Sequence, residues 1–139
     1  MIEHIWSVLC SRTVIDVDTN NISIQDVVEQ ITINAEPKTD GFLPFPLEII
    51  TLWGRKESNE PSMGIEKVTF VTPSGTSKVV SEAEINLSNT ERFRHRVKFP
   101  GLLVSEGGRY YFKVELKNGN NEWQEVSAVP LKIIFQPNS

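Results

Sequence analysis

The sequence predicts an all-β fold, an antiparallel two-layer β-sandwich built from one domain spanning residues 1–139. Three observations carry this reading. Residues 107 to 116 run Gly-Gly-Arg-Tyr-Tyr-Phe-Lys-Val-Glu-Leu, so Tyr110, Phe112, Val114 and Leu116 fall on one face and Arg109, Tyr111, Lys113 and Glu115 on the other. A period of two with one apolar face marks a half-buried antiparallel strand, and such a strand needs a second apolar layer against it. Turn signals also recur at short intervals, and no stretch makes a convincing helix.

The elements follow in order. His4 to Cys10 and Thr13 to Val17 are rich in strand formers, and Asp16 to Asn21 is a turn, because Asp and Asn bond their own backbone and tolerate left-handed conformations. Ile22 to Ile24 resumes a strand, with a weak break at Gln25-Asp26. Val27 to Ile33 is read as one strand: Val27, Val28 and Ile31 would also suit a helix, but β-branched residues favour extended chain. Pro37, Gly41, Pro44 and Pro46 make residues 34–46 a loop. Leu47 to Trp53 is a nearly continuous apolar run, the pattern of a central strand buried on both faces or of one bearing a bulge.

Ile65 to Val71 alternates, with Glu66, Val68 and Phe70 together and Val68 and Phe70 assigned to the core. Thr72-Pro73-Ser74-Gly75 is a β-turn, followed by a strand over Thr76 to Leu87 that is kinked in the middle. Glu91 to Phe99 sets Phe93, His95, Val97 and Phe99 on one face against Arg92, Arg94, Arg96 and Lys98 on the other, and Pro100-Gly101 ends it. Asn118-Gly119 signals a hairpin into a last long strand, Glu122 to Phe135, where Pro130 requires an edge or a bulge. The count expected is eight to ten strands, with residues 136–139 fraying.

The second half resembles an immunoglobulin-like sandwich, on Phe93, Val97, Phe99, Gly107, Tyr110, Phe112 and Val114. A strand ending in a loop and then Gly-x-Tyr-x-Phe-x-Val is similar to the surroundings of the tyrosine corner in such folds. The antibody core disulfide has no counterpart, and a C2-like sandwich stays open. The first half resembles an uncharacterised bacterial and phage-associated family of small β-sandwich proteins, on Val8-Leu9-Cys10, Val14-Ile15-Asp16 and Asn21-Ile22-Ser23-Ile24. That likeness implies no activity and assigns no residue a role.

Composition narrows the function. Apolar residues make up 39% and charged residues 23%, an ordinary globular balance. A formal net charge of −4 argues against nucleic acid as partner. The N-terminus has no basic region before its apolar residues, no apolar run is long enough for a membrane helix, and Cys10 has no disulfide partner, so a cytoplasmic protein without a membrane role is expected.

Asp16, Asp18 and Asn20 occupy the first positions of a calcium loop, but Asn21 and Val27 stand where glycine and a bidentate Glu belong, so an Asx turn is preferred and no metal is assigned. His4, His95 and Cys10 lack the local pairs zinc uses. Cys10 reads as a small core residue, and His95, on an apolar face, reads as a semi-buried histidine with one hydrogen bond. The cations Arg92, Arg94, Arg96 and Lys98 form a stripe that either is a solvated face with cross-strand partners such as Glu82, Glu84 or Glu115, or binds phosphate, nucleic acid or an acidic partner. Trp6 and Trp53 read as core and Trp123 as the exposed tryptophan. No catalytic or cofactor motif is present. A non-enzymatic protein-binding or accessory module is expected, with Arg92, Arg94, Arg96, Lys98 and Trp123 as contact residues. The alternatives are a self-assembling subunit and an enzyme using His95 or His4 with a carboxylate.

Overall fold

A computed structural model describes residues 1–137 of the chain. It is an all-β sandwich of eleven strands: β1 (Ile2–Ile15), β2 (Ile22–Val27), β3 (Gln30–Ile33), β4 (Phe42–Leu43), β5 (Leu47–Arg55), β6 (Ser62–Val71), β7 (Ser77–Leu87), β8 (Arg92–Phe99), β9 (Leu102–Leu103), β10 (Gly108–Lys117) and β11 (Gln124–Phe135). One layer is four-stranded in the order β2-β1-β5-β8, the other five-stranded in the order β3-β11-β10-β6-β7, and β4 with β9 closes one end as a small ribbon. Among the described strands every pairing is antiparallel except β3 with β11.

The core lies where the period-two faces meet. Tyr110, Phe112 and Val114 are fully buried, with Val68 and Phe70 beside them. Phe112 packs its ring against Phe70 at 4.9 Å and Phe99 at 5.3 Å between centroids. The Tyr110 hydroxyl donates to the Glu106 carbonyl at 2.6 Å, satisfying the one polar atom of a buried ring. The apolar run of β5 is buried on both faces, with only Leu52 and Arg55 half-exposed, and β5 is an interior strand of its sheet as its sequence requires.

Several local expectations are corrected. Residues 25–26 do not break a strand. β2 runs through them to Val27, and the break falls at Val28-Glu29, where the chain leaves one sheet and enters the other as β3. Asp26 takes φ 54 just before this crossing, and the Val28 amide donates to the Leu9 carbonyl at 2.9 Å. Trp6 is not a core residue. A bulge between His4 and Trp6 resets the alternation of β1, so His4 stands opposite inward-facing Trp53 and Trp6 opposite outward-facing Leu52. Gln136 does not fray freely, since its amide donates to the Ile33 carbonyl at 2.8 Å, while residues 138 and 139 lie outside the described part.

Other signals are realised as read. Gly75 takes φ 94 in the turn after β6, and β7 is irregular opposite Val68 and Thr69. Pro130 pairs with Tyr111 on one side only, because β3 joins β11 just from Lys132 onward. The missing proline donor therefore costs no ladder bond.

Candidate functional site

The cationic stripe lies on the outer face of the four-stranded sheet. β8 is an edge strand of that sheet, paired with β5 alone, and its register sets Arg94 beside Leu52, Arg96 beside Ile50 and Lys98 beside Glu48. Trp53, Thr51 and Ile49 of β5 point inward, so this second set points out. Arg92 and Lys98 are exposed, Arg94 and Arg96 half-buried. The expected partners Glu82, Glu84 and Glu115 are on the other sheet. Glu115 meets Lys67 at 3.7 Å and Lys113 at 3.8 Å, and Glu82 stands opposite Lys67.

What Arg94 and Arg96 touch directly instead is uncharged. Arg94 Nη2 donates to the Asn20 carbonyl at 2.6 Å, and Arg96 Nη1 donates to Thr13 Oγ1 at 3.0 Å. The Thr13 hydroxyl in turn donates a hydrogen bond to the carboxylate of Glu48, which is 2% exposed. Arg94 Nη1 is buried and has no acceptor among the described residues. Around Arg94 a groove of about 310 Å³ opens, lined by Trp6, Leu52 and Ile22 on its apolar side and by Arg92, Asn20 and Asn21 on its polar side. Asn20 belongs to the turn after β1. Asp16 Oδ1 accepts the amides of Asp18 and Thr19, both at 2.9 Å, which makes this the Asx turn read from the sequence and holds the Asp16 carboxyl below its usual pKa.

A second polar cluster lies inside the sandwich, and its centre was missed by sequence reasoning. Glu66 of β6 is buried between the sheets. Its Oε2 accepts the indole N–H of Trp53 at 2.5 Å, and its Oε1 meets Nδ1 of His95. The signal was present, since Glu66 shares a face with Val68 and Phe70, but an acidic residue on an apolar face gives no hint of its partners. His4 sits edge-on to Trp53, ring centroids 5.5 Å apart, and its Nε2 reaches Ser7 Oγ at 2.8 Å. Burial lowers the His4 pKa, partly offset by the negative charge of Glu66. Cys10 Sγ donates to the Glu48 carbonyl at 3.5 Å. His95 thus makes the single hydrogen bond expected of it, to a carboxylate closed off from solvent, and the groove at Arg94 is lined by none of Glu66, His4 or His95.

Trp123 is half-buried and stands on the opposite sheet. Lys67 Nζ lies 4.2 Å and Lys117 Nζ 4.9 Å from its ring centre, so two ammonium groups cover the indole face. The fold therefore does not bring Trp123 to the stripe.

No family model matches the chain, and no curated protein does. Among solved structures, one similar in fold is described as the crystal structure of the C-terminal domain of wzt, at 10% identity and a TM-score of 0.48, covering 95% of this chain and 72% of that one.

Proposed function

We propose that this chain is a non-enzymatic binding module that docks an acidic protein segment on the outer face of its four-stranded sheet, through Arg92, Arg94, Arg96 and Lys98. One observation carries the reading: among the described residues, none of these four cations has a carboxylate within ion-pair distance. Alternate residues on a strand stand about 7 Å apart. At that distance neighbouring unit charges repel by about 0.6 kcal/mol each even in water, and an anionic partner removes that repulsion. The negative net charge of the chain weighs against a nucleic acid, a polyanion that would extend well past the four cations. The immunoglobulin-like character of the sandwich belongs to the same proposal, supported by the bond from Tyr110 back to the Glu106 carbonyl. Trp123, on the opposite sheet, is a separate contact point for a second surface of a partner.

Fluorescence anisotropy with a labelled oligoglutamate peptide tests this. The expected result is saturable binding that weakens as salt rises, and at least about a ten-fold loss in a variant carrying Arg92→Glu and Lys98→Glu. Equal affinity of variant and parent overturns the assignment.

A further inference from the structure

The stripe is carried by a strand with a free edge, and this fixes how a partner chain can meet it. Every second residue of an edge strand turns its N–H and C=O away from the sheet, a template for another strand. The other edges are disrupted. β7 carries a register shift, β2 ends beside the left-handed Asp26, and β3 is four residues long. β8 is different: its eight residues pair with β5 from Arg92 to Phe99 with no shift, and among the described residues no strand pairs with its far side. At its start the Thr90 hydroxyl donates to the Arg92 carbonyl at 3.1 Å, so the ladder positions beyond Arg92 are the ones on offer.

An exposed straight edge invites self-association, and proteins suppress this with charge. On β8 that charge has one sign. A second copy added edge to edge would set Arg94 and Arg96 against the same cations. A segment with carboxylates at alternate positions would set each one beside a cation on the same face. The groove beside Trp6 and Leu52 lies on the β5 and β1 side of the stripe, away from this edge, so an added strand would meet the exposed cations of β8, Arg92 and Lys98, rather than the groove.

Resting on the docking reading above, we infer that the partner binds by strand addition to β8, as an extended segment with acidic residues at every second position. Charge complementarity chooses the occupant, and the unshifted edge chooses the mode.

The test uses a peptide of about eight residues alternating glutamate with valine, the length of an ordinary strand. It is compared with two derivatives, one N-methylated on the valine amides and one on the glutamate amides. Strand addition expects the derivative whose methyl groups face β8 to lose at least about ten-fold in affinity and the other to bind within about three-fold, because only one set of amides joins the ladder. If both derivatives bind like the parent, strand addition is wrong and the electrostatic docking surface stands. If no acidic peptide binds, the docking reading fails as well. A stable dimer of the free protein that persists with Arg92→Glu and Lys98→Glu, measured by light scattering, would also overturn it by showing the edge already occupied.

Discussion

Glu66 of β6 and His95 of β8 meet across the interior of the sandwich, carboxylate to imidazole. The contact joins the two sheets, and the same carboxylate accepts a hydrogen bond from the Trp53 indole N–H. His95 is also the inward-facing residue between Arg94 and Arg96, so the pin that fixes β8 on the core side sets the position of the stripe on the other.

Removing the carboxylate should therefore cost more than its own contacts. Glu66→Ala leaves the Trp53 N–H and the His95 ring without a partner, and a loss of about 3 kcal/mol or more in urea melts is expected. Glu66→Gln keeps an acceptor for one of the two and should cost about half as much. Equal small losses would mean the cluster contributes no cohesion between the sheets.

His4 predicts an acid-side loss of stability. Its folded pKa is held below the ordinary value by burial. Above that ordinary value, about 6.5, both folded and unfolded chains carry a neutral ring. Below it the unfolded chain binds a proton that the folded chain resists, so stability falls as pH drops through this value toward the folded pKa. His4→Gln should show a smaller loss between about pH 7.5 and 5 in urea melts. Parallel curves for parent and variant would contradict this.

Burial and the nearby Glu48 charge push the Cys10 thiol up to about 11. Its reaction with a disulfide reagent near pH 8 should be at least roughly a hundred-fold slower in the folded protein than in urea, since the reactive species is the thiolate. The sign at high pH is fixed too. The unfolded thiol ionises first, so stability declines as pH rises above the ordinary thiol value toward the folded one. A native thiol reacting at the unfolded rate would place Cys10 at the surface.

The four cations should separate into two classes. Arg96 is tied through Thr13 to buried Glu48, so Arg96→Glu sets two carboxylates near one hydroxyl and should cost roughly 2 kcal/mol or more. Arg92→Glu, at an exposed position, should change stability by under about 0.5 kcal/mol. Similar losses for both in urea melts would show that Arg96 is not held in that network.

The sandwich was legible because period-two alternation reports burial directly. Phe112, Val114 and Val68 were placed by parity alone, and the turns by Pro73, Gly75 and Gly119. Trp6, read as core from its apolar strand, faces out because one bulged residue reverses every later face, and nothing in Glu3-His4-Ile5-Trp6 announces a bulge. Strand propensity misled at Val27 to Ile33, where a run of β-branched residues conceals a change of sheet. The stripe itself was legible, but its surroundings were not: Thr13, Asn20 and Glu48 are far away in sequence, and the choice between them and Glu82, Glu84 or Glu115 depends on which sheet β8 joins. Glu66 was assigned to the inner face without its significance, because the residues that satisfy it come from two other strands.

The docking claim is tested most directly by the amide chemical shifts of the isotope-labelled protein during titration with the alternating glutamate–valine peptide. The account predicts that the perturbed amides centre on Arg92 to Phe99 of β8, with the far sheet near Trp123 and Lys117 unmoved. Perturbations confined to the sheet that carries Trp123, Lys67 and Lys117, with β8 unchanged, would contradict it.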